Sequence, residues 1–234
     1  MTRGRALPHA ALTLLVGALA LPLWLAAVAS LSPEAELFER APWLPTHLTF
    51  AHYRSLLGGW SFWSAVRNSL IVAGSTTSLC LVLGAPCAYA LARLHFPGRD
   101  ALLSLILAVS MFPQVAVVSP LYLALRALGL IDTYPGLVIP YLTFAMPLTV
   151  RLLHGYFPQL PPDLGQAALV DGATRLEALR LVVLPLAAPG LVTTAMLTFI
   201  YCWNEFLFAL SFTKSGSWAS TSSTAPTRRR RSRA

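Results

Sequence analysis

The chain has 234 residues, of which 56% are hydrophobic and only 11% are charged, and its mean hydropathy is +0.65. Soluble globular domains carry about a quarter charged residues, so this composition excludes an ordinary soluble enzyme. The net charge of +8 is unevenly placed, because residues 1–213 contribute +2 and residues 214–234 contribute +6. The basic character therefore belongs to the end of the chain and says little about the partners of the rest.

Five apolar stretches follow one another along the chain, and each is long enough to cross a bilayer as a helix. They are residues 10–31, 68–92, 101–125, 135–153 and 185–212. The pattern predicts an all-α, polytopic membrane bundle of five transmembrane helices and excludes a single-pass protein. The first stretch also has features of a signal peptide, with Ala27-Val28-Ala29 as a cleavage site, but its length favours a retained helix.

The arginines between these stretches predict how the chain crosses the membrane, since cytoplasmic loops are enriched in Lys and Arg. With the N-terminus inside, the cytoplasmic set is Arg3, Arg5, Arg93, Arg99, Arg151, Arg175 and Arg180, and the external set is Arg40, Arg54, Arg67 and Arg126. Seven arginines against four favour an orientation with the N-terminus, residues 1–9, in the cytoplasm.

The loop at residues 154–184, between the fourth and fifth stretches, is the most informative segment of the chain. Asp163 precedes Gln166 by three residues and Thr174 precedes Glu177 by three, which in each case predicts a capping box at the start of a helix. Asp171-Gly172 between them predicts a turn. The loop is therefore expected to fold as a short helix, a bend and a second helix on the cytoplasmic side.

Apolar residues in this loop leave two interpretations open. Leu164, Ala167, Ala168, Val170 and Leu176 either dock into a groove of a partner, as the apolar face of an amphipathic helix does, or pack against the chain's own bundle.

The same loop carries a family motif. Gln166-Ala167-Ala168, Asp171-Gly172-Ala173 and Val182-x-Leu184-Pro185 resemble, with matching spacing, the EAA loop of ABC importer permeases, with Gln for the usual Glu and Val for the usual Ile. Further stretches resemble the smaller permease subunit of the maltose-type carbohydrate importers. They are residues 120–122, 128–134 and 198–206. The similarity covers residues 10–213, which are expected to form the transmembrane permease domain.

The resemblance implies a permease subunit for sugars or oligosaccharides whose loop seats on a cytoplasmic ATPase. By position, the coupling residues are Gln166, Ala167, Ala168, Asp171, Gly172 and Ala173. The implied partners are a second permease subunit, two ATPase subunits, an extracytoplasmic solute-binding protein and the lipid bilayer. ATP and Mg²⁺ are expected on the ATPase, because this chain has no G-x-x-x-x-G-K-[ST] phosphate loop. No catalytic, cofactor or metal site is therefore expected in this chain, and it is not expected to be an enzyme.

Trp203, Asn204 and Glu205 are candidate pathway residues in the fifth stretch. An ionisable group inside a membrane segment often marks a transport pathway. However, Glu205 lies 20 residues beyond Pro185, or about 30 Å along a straight helix, which places it equally well at the outer interface. Both positions stay open at this point.

The last 21 residues do not continue the family pattern, which implies a sixth helix. Residues 214–234 are polar and basic, and we expect a disordered, non-native tail created by a frameshift or truncation. The alternative is a genuine basic tail for acidic lipid or nucleic acid, although no nucleic-acid partner is expected. Two other functions remain open: an ion-gradient-driven secondary transporter or channel, and an inactive truncated permease.

Overall fold

The computed structural model describes residues 3–34 and 47–213, and every regular element in these ranges is a helix. The chain divides into two compact units after Phe62. The expectations for the tail, residues 214–234, lie outside the described residues. In the first unit, α1 (Arg3–Leu31) is followed by α2 (Ala51–Gly58). The end of α1 is tied to the start of α2, because the Tyr53 hydroxyl donates to Ser30 Oγ at 2.7 Å.

The second unit contains most of the bundle, and α3 (Trp60–Arg93) begins just before the division. The later helices are α4 (Arg99–Val109), α5 (Gln114–Ala127), α6 (Tyr134–Tyr156), α7 (Pro162–Val170), α8 (Arg175–Leu186), α9 (Ala188–Trp203) and α10 (Leu207–Phe212). A 3₁₀ turn at Phe157–Gln159 follows α6 directly, and α8 includes a π-helical turn at Leu179–Val183.

Three of the five predicted spans are confirmed as continuous apolar helices. The structure places them at Ala11–Leu31, Trp60–Arg93 and Tyr134–Gln159. The other two predicted spans, over residues 101–125 and 185–212, correspond to bent helix pairs, and the described residues contain up to five spans if each pair is counted as one.

The third span is broken between α4 and α5, whose axes meet at 88°. Pro113 lies at the break, and a proline disfavours helical backbone at the residue before it, here Phe112. Nevertheless, α4 and α5 together extend along the length of α6. Leu103 of α4 packs against the buried cluster that contains Leu153, near the end of α6. Leu125 of α5 belongs to the buried cluster that contains Leu137, near the start of α6.

The fifth span is broken at Ala187, where α8 and α9 meet at 79°, and again after Trp203. Pro185 and Pro189 flank the first break. A proline inside a helix lacks the N–H and clashes with the carbonyl four residues earlier, so Pro189 opposes continuation from Pro185. The 16-residue α9 is about 24 Å long, and the separate short helix α10 extends it.

α6 and α9 run side by side in opposite directions, and three contacts set their register. Gly190 meets the ring of Tyr156, and a Cβ at Gly190 would lie only 2.4 Å from Tyr156 Cδ1. Further along, the buried hydroxyls of Thr149 and Thr198 share a hydrogen bond of 3.0 Å. Finally, the Tyr141 hydroxyl donates to the backbone carbonyl of Glu205 at 3.0 Å. Position along α9 can therefore be read directly against position along α6.

Candidate functional site: the coupling loop and the pathway residues

The predicted bend in the loop exists and is closed by backbone hydrogen bonds. Ala173 N–H donates to the Ala168 carbonyl at 3.0 Å, and Gly172 N–H donates to the Leu169 carbonyl at 3.2 Å. This pairing is the Schellman motif that ends many helices, and it needs a left-handed residue after the last helical position. Gly172 supplies it with a φ of 90°. The Asp-Gly pair therefore ends α7 and turns the chain toward α8.

The predicted capping box at Thr174 and Glu177 is confirmed. Thr174 Oγ1 accepts from Glu177 N–H at 3.3 Å, while Glu177 Oε2 accepts from Thr174 N–H at 2.7 Å. The hydrogen bonds from the backbone N–H and the hydroxyl of Thr174 lower the pKa of Glu177, because they favour the ionised carboxylate. The other predicted capping box is wrong, since α7 begins after Pro161 with no side-chain cap from Asp163.

The six motif residues lie together on α7 and the bend. Gln166, Ala167, Asp171 and Gly172 are exposed, and Ala168 and Ala173 are half-buried. Three apolar side chains beside them face solvent: Leu169 is 43% exposed, Val170 86% and Leu176 68%. We call the exposed face formed by Gln166, Ala167, Leu169, Val170, Asp171, Gly172 and Leu176 the coupling surface.

A single arginine at the end of α3 holds the base of the loop. Arg93 Nη2 donates to the Phe157 carbonyl at 2.7 Å and also to the Leu160 carbonyl. These carbonyls flank the 3₁₀ turn between α6 and α7, and a cation near a helix C-terminus is favoured by the helix dipole. In the sequence, Arg93 contributes only to the predicted orientation, and its position at the end of an apolar span is the one signal of a further role.

A pocket of about 220 Å³ lies beside this contact and is lined by Arg93, Gln166 and Arg175, among others. Gln166, the residue that departs from the family motif, thus borders two arginines of its own chain. Within residues 3–34 and 47–213, no group of three His, Cys, Asp or Glu side chains is placed to hold a metal ion.

The three candidate pathway residues lie at the break that ends α9. Trp203 belongs to α9 and stacks on Phe199 with ring centroids 5.7 Å apart, and Asn204 donates to the Ile200 carbonyl at 2.9 Å. The Glu205 carboxylate accepts from Phe208 N–H at 3.2 Å. All three line a pocket of about 170 Å³ that also includes Asn68. Glu205 therefore caps the first turn of α10, and its pathway role stays a prediction.

Comparison with known proteins decides the family. The model of the family described as "Binding-protein-dependent transport system inner membrane component" matches residues 81–229. The chain belongs to this family. It is a multi-pass permease subunit of an ABC importer in the inner membrane, which confirms the resemblance found in the EAA-type loop.

Two curated relatives of the permease cover most of its length. The trehalose transport system permease protein SugB of Mycobacterium tuberculosis is 47% identical over 202 residues, which are 86% of this chain and 73% of SugB. The sulfoquinovosyl glycerol transport system permease protein SmoH of Agrobacterium fabrum is 41% identical over 87% of this chain and 71% of SmoH.

The fold of the permease matches a solved transporter as well. A chain in the crystal structure of a bacterial ABC transporter involved in the import of the acidic polysaccharide alginate aligns with a TM-score of 0.75 and 27% identity. The alignment covers 93% of this chain and 78% of that chain. The broken helices α4–α5 and α8–α9 are thus part of a permease fold.

Proposed function

We propose that this permease imports a saccharide and that partner subunits supply the energy by hydrolysing ATP. Support comes from the relatives, which are named for trehalose and for sulfoquinovosyl glycerol. In the proposed assembly the chain pairs with a second permease subunit, two ATPase subunits and an extracytoplasmic solute-binding protein. ATP and Mg²⁺ bind to the ATPase, and this chain is not itself an enzyme.

The coupling surface is the observation that carries this proposal. Val170 and Leu176 are more than half exposed on a loop whose bend and second helix are both capped. Apolar side chains on a rigid, solvent-exposed element are typical of a docking site. In the proposed complex this surface seats in a cleft of the ATPase. Gln166 supplies a neutral hydrogen-bond acceptor there, which is weaker than the carboxylate of the family motif.

The loop is connected to the membrane helices in a way that suits transmission of motion. α7 follows α6 through the 3₁₀ turn, and α8 leads through the break at Ala187 into α9. When the ATPase subunits close on ATP, they displace the coupling surface, and the displacement reaches α6 and α9 together. These helices then change which side of the membrane has access to the pathway.

The test replaces an apolar residue of the coupling surface by a charged one. Burial of a valine side chain stabilises a complex by about 1.5 kcal/mol or more, so Val170→Glu is expected to weaken ATPase binding about tenfold or more. Val170 is preferable to Gly172, because a side chain at Gly172 would also strain its left-handed backbone. The measurement is co-purification of the ATPase with the permease from detergent-solubilised membranes.

Leu128→Glu is the matched control, since Leu128 is 71% exposed and lies at the end of α5, away from the loop. The control is expected to retain the ATPase. Equal recovery of the ATPase with Val170→Glu and with the unsubstituted permease would contradict the proposed docking site.

A further inference from the structure

The break between α4 and α5 exposes irregular backbone in a membrane-spanning region. Met111 and Phe112 at the break are 85% and 64% exposed. Irregular backbone at membrane depth is tolerated only where it is buried in protein or lines a water-filled cavity. The break is therefore expected to face a cavity or another protein rather than lipid.

The depth of the break follows from contacts with α9. Gln114, the first residue of α5, donates from Nε2 to the Tyr201 hydroxyl at 2.9 Å. Tyr201 lies between Thr198, which is level with Thr149 of α6, and Glu205, which is level with Tyr141. Gln114 and Tyr201 are therefore level with the middle of the 23-residue helix α6, which corresponds to a position half-way across the membrane.

A cavity of about 600 Å³ opens beside this point. Its volume falls within the range of about 300–1,000 Å³ found for small-molecule sites. The lining includes Ser110, Phe112 and Gln114 from the break, Phe144 and Arg151 from α6, and Tyr201 from α9. Three separate segments of the fold therefore contribute to one cavity.

The polar groups of the cavity are few and converge from different helices. The Gln114 amide and the Tyr201 hydroxyl can each both donate and accept hydrogen bonds, and Arg151 can only donate. The cavity lining contains no Asp or Glu, and no ion pair to Arg151 occurs in the described part of the chain. The cavity thus favours a hydroxyl-rich or anionic ligand over a cationic one.

We propose that this cavity is a saccharide subsite of the translocation pathway. Phe112 and Tyr201 provide aromatic surface for the apolar C–H faces of a sugar ring, while Gln114 and Arg151 bind its hydroxyls or an acidic substituent. The inference rests on the proposed function, because it places the transported saccharide at these residues. It differs from the sequence prediction at Trp203, Asn204 and Glu205, since the Glu205 carboxylate is engaged in capping α10.

The first experiment uses the complete importer in proteoliposomes, with trehalose, maltose and an alginate disaccharide as probes. Transport by the unsubstituted importer identifies the probe for later steps. If the importer transports none of the three probes, that result contradicts the proposed function, and the subsite then has no ligand of the expected saccharide class. Transport of at least one probe makes the following variants decisive for the subsite alone.

Ser110→Cys tests whether the cavity is hydrated and occupied by the saccharide. The variant is made after replacement of the free thiols of Cys80, Cys87 and Cys202. We expect a water-soluble thiol reagent to modify Cys at position 110 and the transported probe to slow this modification during turnover. Modification only by a lipid-soluble maleimide, or no protection by the probe, would overturn the proposal.

Gln114→Leu and Arg151→Gln test the polar contacts. We expect each to lower saccharide transport about tenfold, the effect of losing roughly one hydrogen bond to the ligand. A larger loss for the alginate disaccharide than for trehalose with Arg151→Gln would assign the arginine to an acidic substituent. Equal losses would assign it to hydroxyls.

Thr143→Val is the control for these variants. Thr143 lies on α6 next to Phe144, is exposed, and bonds to the Ile139 carbonyl, but it does not line the cavity. The control is expected to transport normally. Wild-type transport by both Gln114→Leu and Arg151→Gln would overturn the subsite, and it would leave the ATPase docking measured with Val170→Glu unaffected.

Discussion

At the scale of single residues, the capping box of α8 predicts a pH dependence of the loop. The pKa of Glu177 is lowered in the folded loop by hydrogen bonds from Thr174, whereas an unfolded glutamate has a pKa of about 4.3. Because the pKa is lowered, the carboxylate stabilises the folded loop at pH values above the pKa of the unfolded chain. This contribution is lost as the pH falls through the pKa of the folded loop. We expect the carboxyl group of Glu177, followed by NMR, to titrate below an ordinary glutamate.

Thr174→Val removes the hydroxyl that contacts Glu177, and it should raise the pKa of Glu177 toward the ordinary value. Thr193→Val is the matched control, because Thr193 is also exposed and bonds only to the Pro189 carbonyl. It is expected to leave the Glu177 titration unchanged. An ordinary pKa in the unsubstituted permease, or no response to Thr174→Val, would contradict the capping box.

At the scale of helices, Arg93 links α3 to the base of the coupling loop. Its guanidinium serves two carbonyls, and hydrogen bonds to charged groups contribute about 1.5–3 kcal/mol each. Arg93→Met removes both while the coupling surface stays intact. We expect the ATPase to remain bound, but saccharide transport and saccharide-stimulated ATP hydrolysis to fall about tenfold or more.

Arg93→Lys keeps the charge without the guanidinium fork and should recover part of the transport. Arg99→Met is the control, because Arg99 pairs with the exposed Asp100 at 3.5 Å and does not contact the loop. If the ATPase is lost with Arg93→Met, the arginine is needed for docking. If the Arg93→Met variant transports saccharide as fast as the unsubstituted permease, Arg93 does not contribute to coupling between the loop and the membrane helices.

The helices also show what the sequence could and could not predict. Local signals were sufficient for the turn at Gly172 and the capping box at Thr174, whose partners lie within a few residues, but they failed for the capping box predicted at Asp163. Apolar length identified all five membrane-crossing regions, but it did not locate the breaks. Pro113 lies at a break, whereas Pro140 and Pro147 lie within the continuous α6. Packing around each proline decides whether the helix breaks or continues, and this packing cannot be read from the sequence alone.

The candidate sites also differ in how far the sequence alone predicts them. The coupling residues could be located from the family motif, because the motif is contiguous. The contact between Gln114 and Tyr201 joins positions 87 residues apart, and Arg93 reaches carbonyls more than 60 residues away. No local pattern marks such pairs, so the proposed subsite and the link at Arg93 emerge only from the folded chain.

At the scale of the whole permease, α6 connects the two proposed functional regions. Phe144 and Arg151 of α6 line the cavity, and the helix ends at Tyr156 directly before the turn that carries the Arg93 contact. In the proposed mechanism, a displacement of the coupling surface therefore reaches the cavity through α6 and its antiparallel neighbour α9. The proposed docking site and the proposed subsite are two ends of the same mechanical element.

This arrangement requires the two ends of α6 to lie on opposite sides of the membrane, with the loop in the cytoplasm. The cytoplasmic end then carries Arg93, Arg99 and Arg175, in agreement with the arginine distribution that favours cytoplasmic loops. We expect a cysteine in place of Leu128, which is 71% exposed and directly follows α5, to react with an impermeant thiol reagent added to intact cells. A cysteine at the exposed Asp171 should react only after permeabilisation.

Both cysteines are placed in the variant that lacks the three native thiols, and reaction of each after permeabilisation establishes that both are accessible. Labelling of the cysteine at position 171 in intact cells would place the coupling surface outside, where no ATPase can reach it. That result would contradict the proposed function even if the cavity proved to be hydrated. Labelling of position 128 alone would fix the direction of import, from the Tyr134 end of α6 through the cavity to the end that carries the coupling loop.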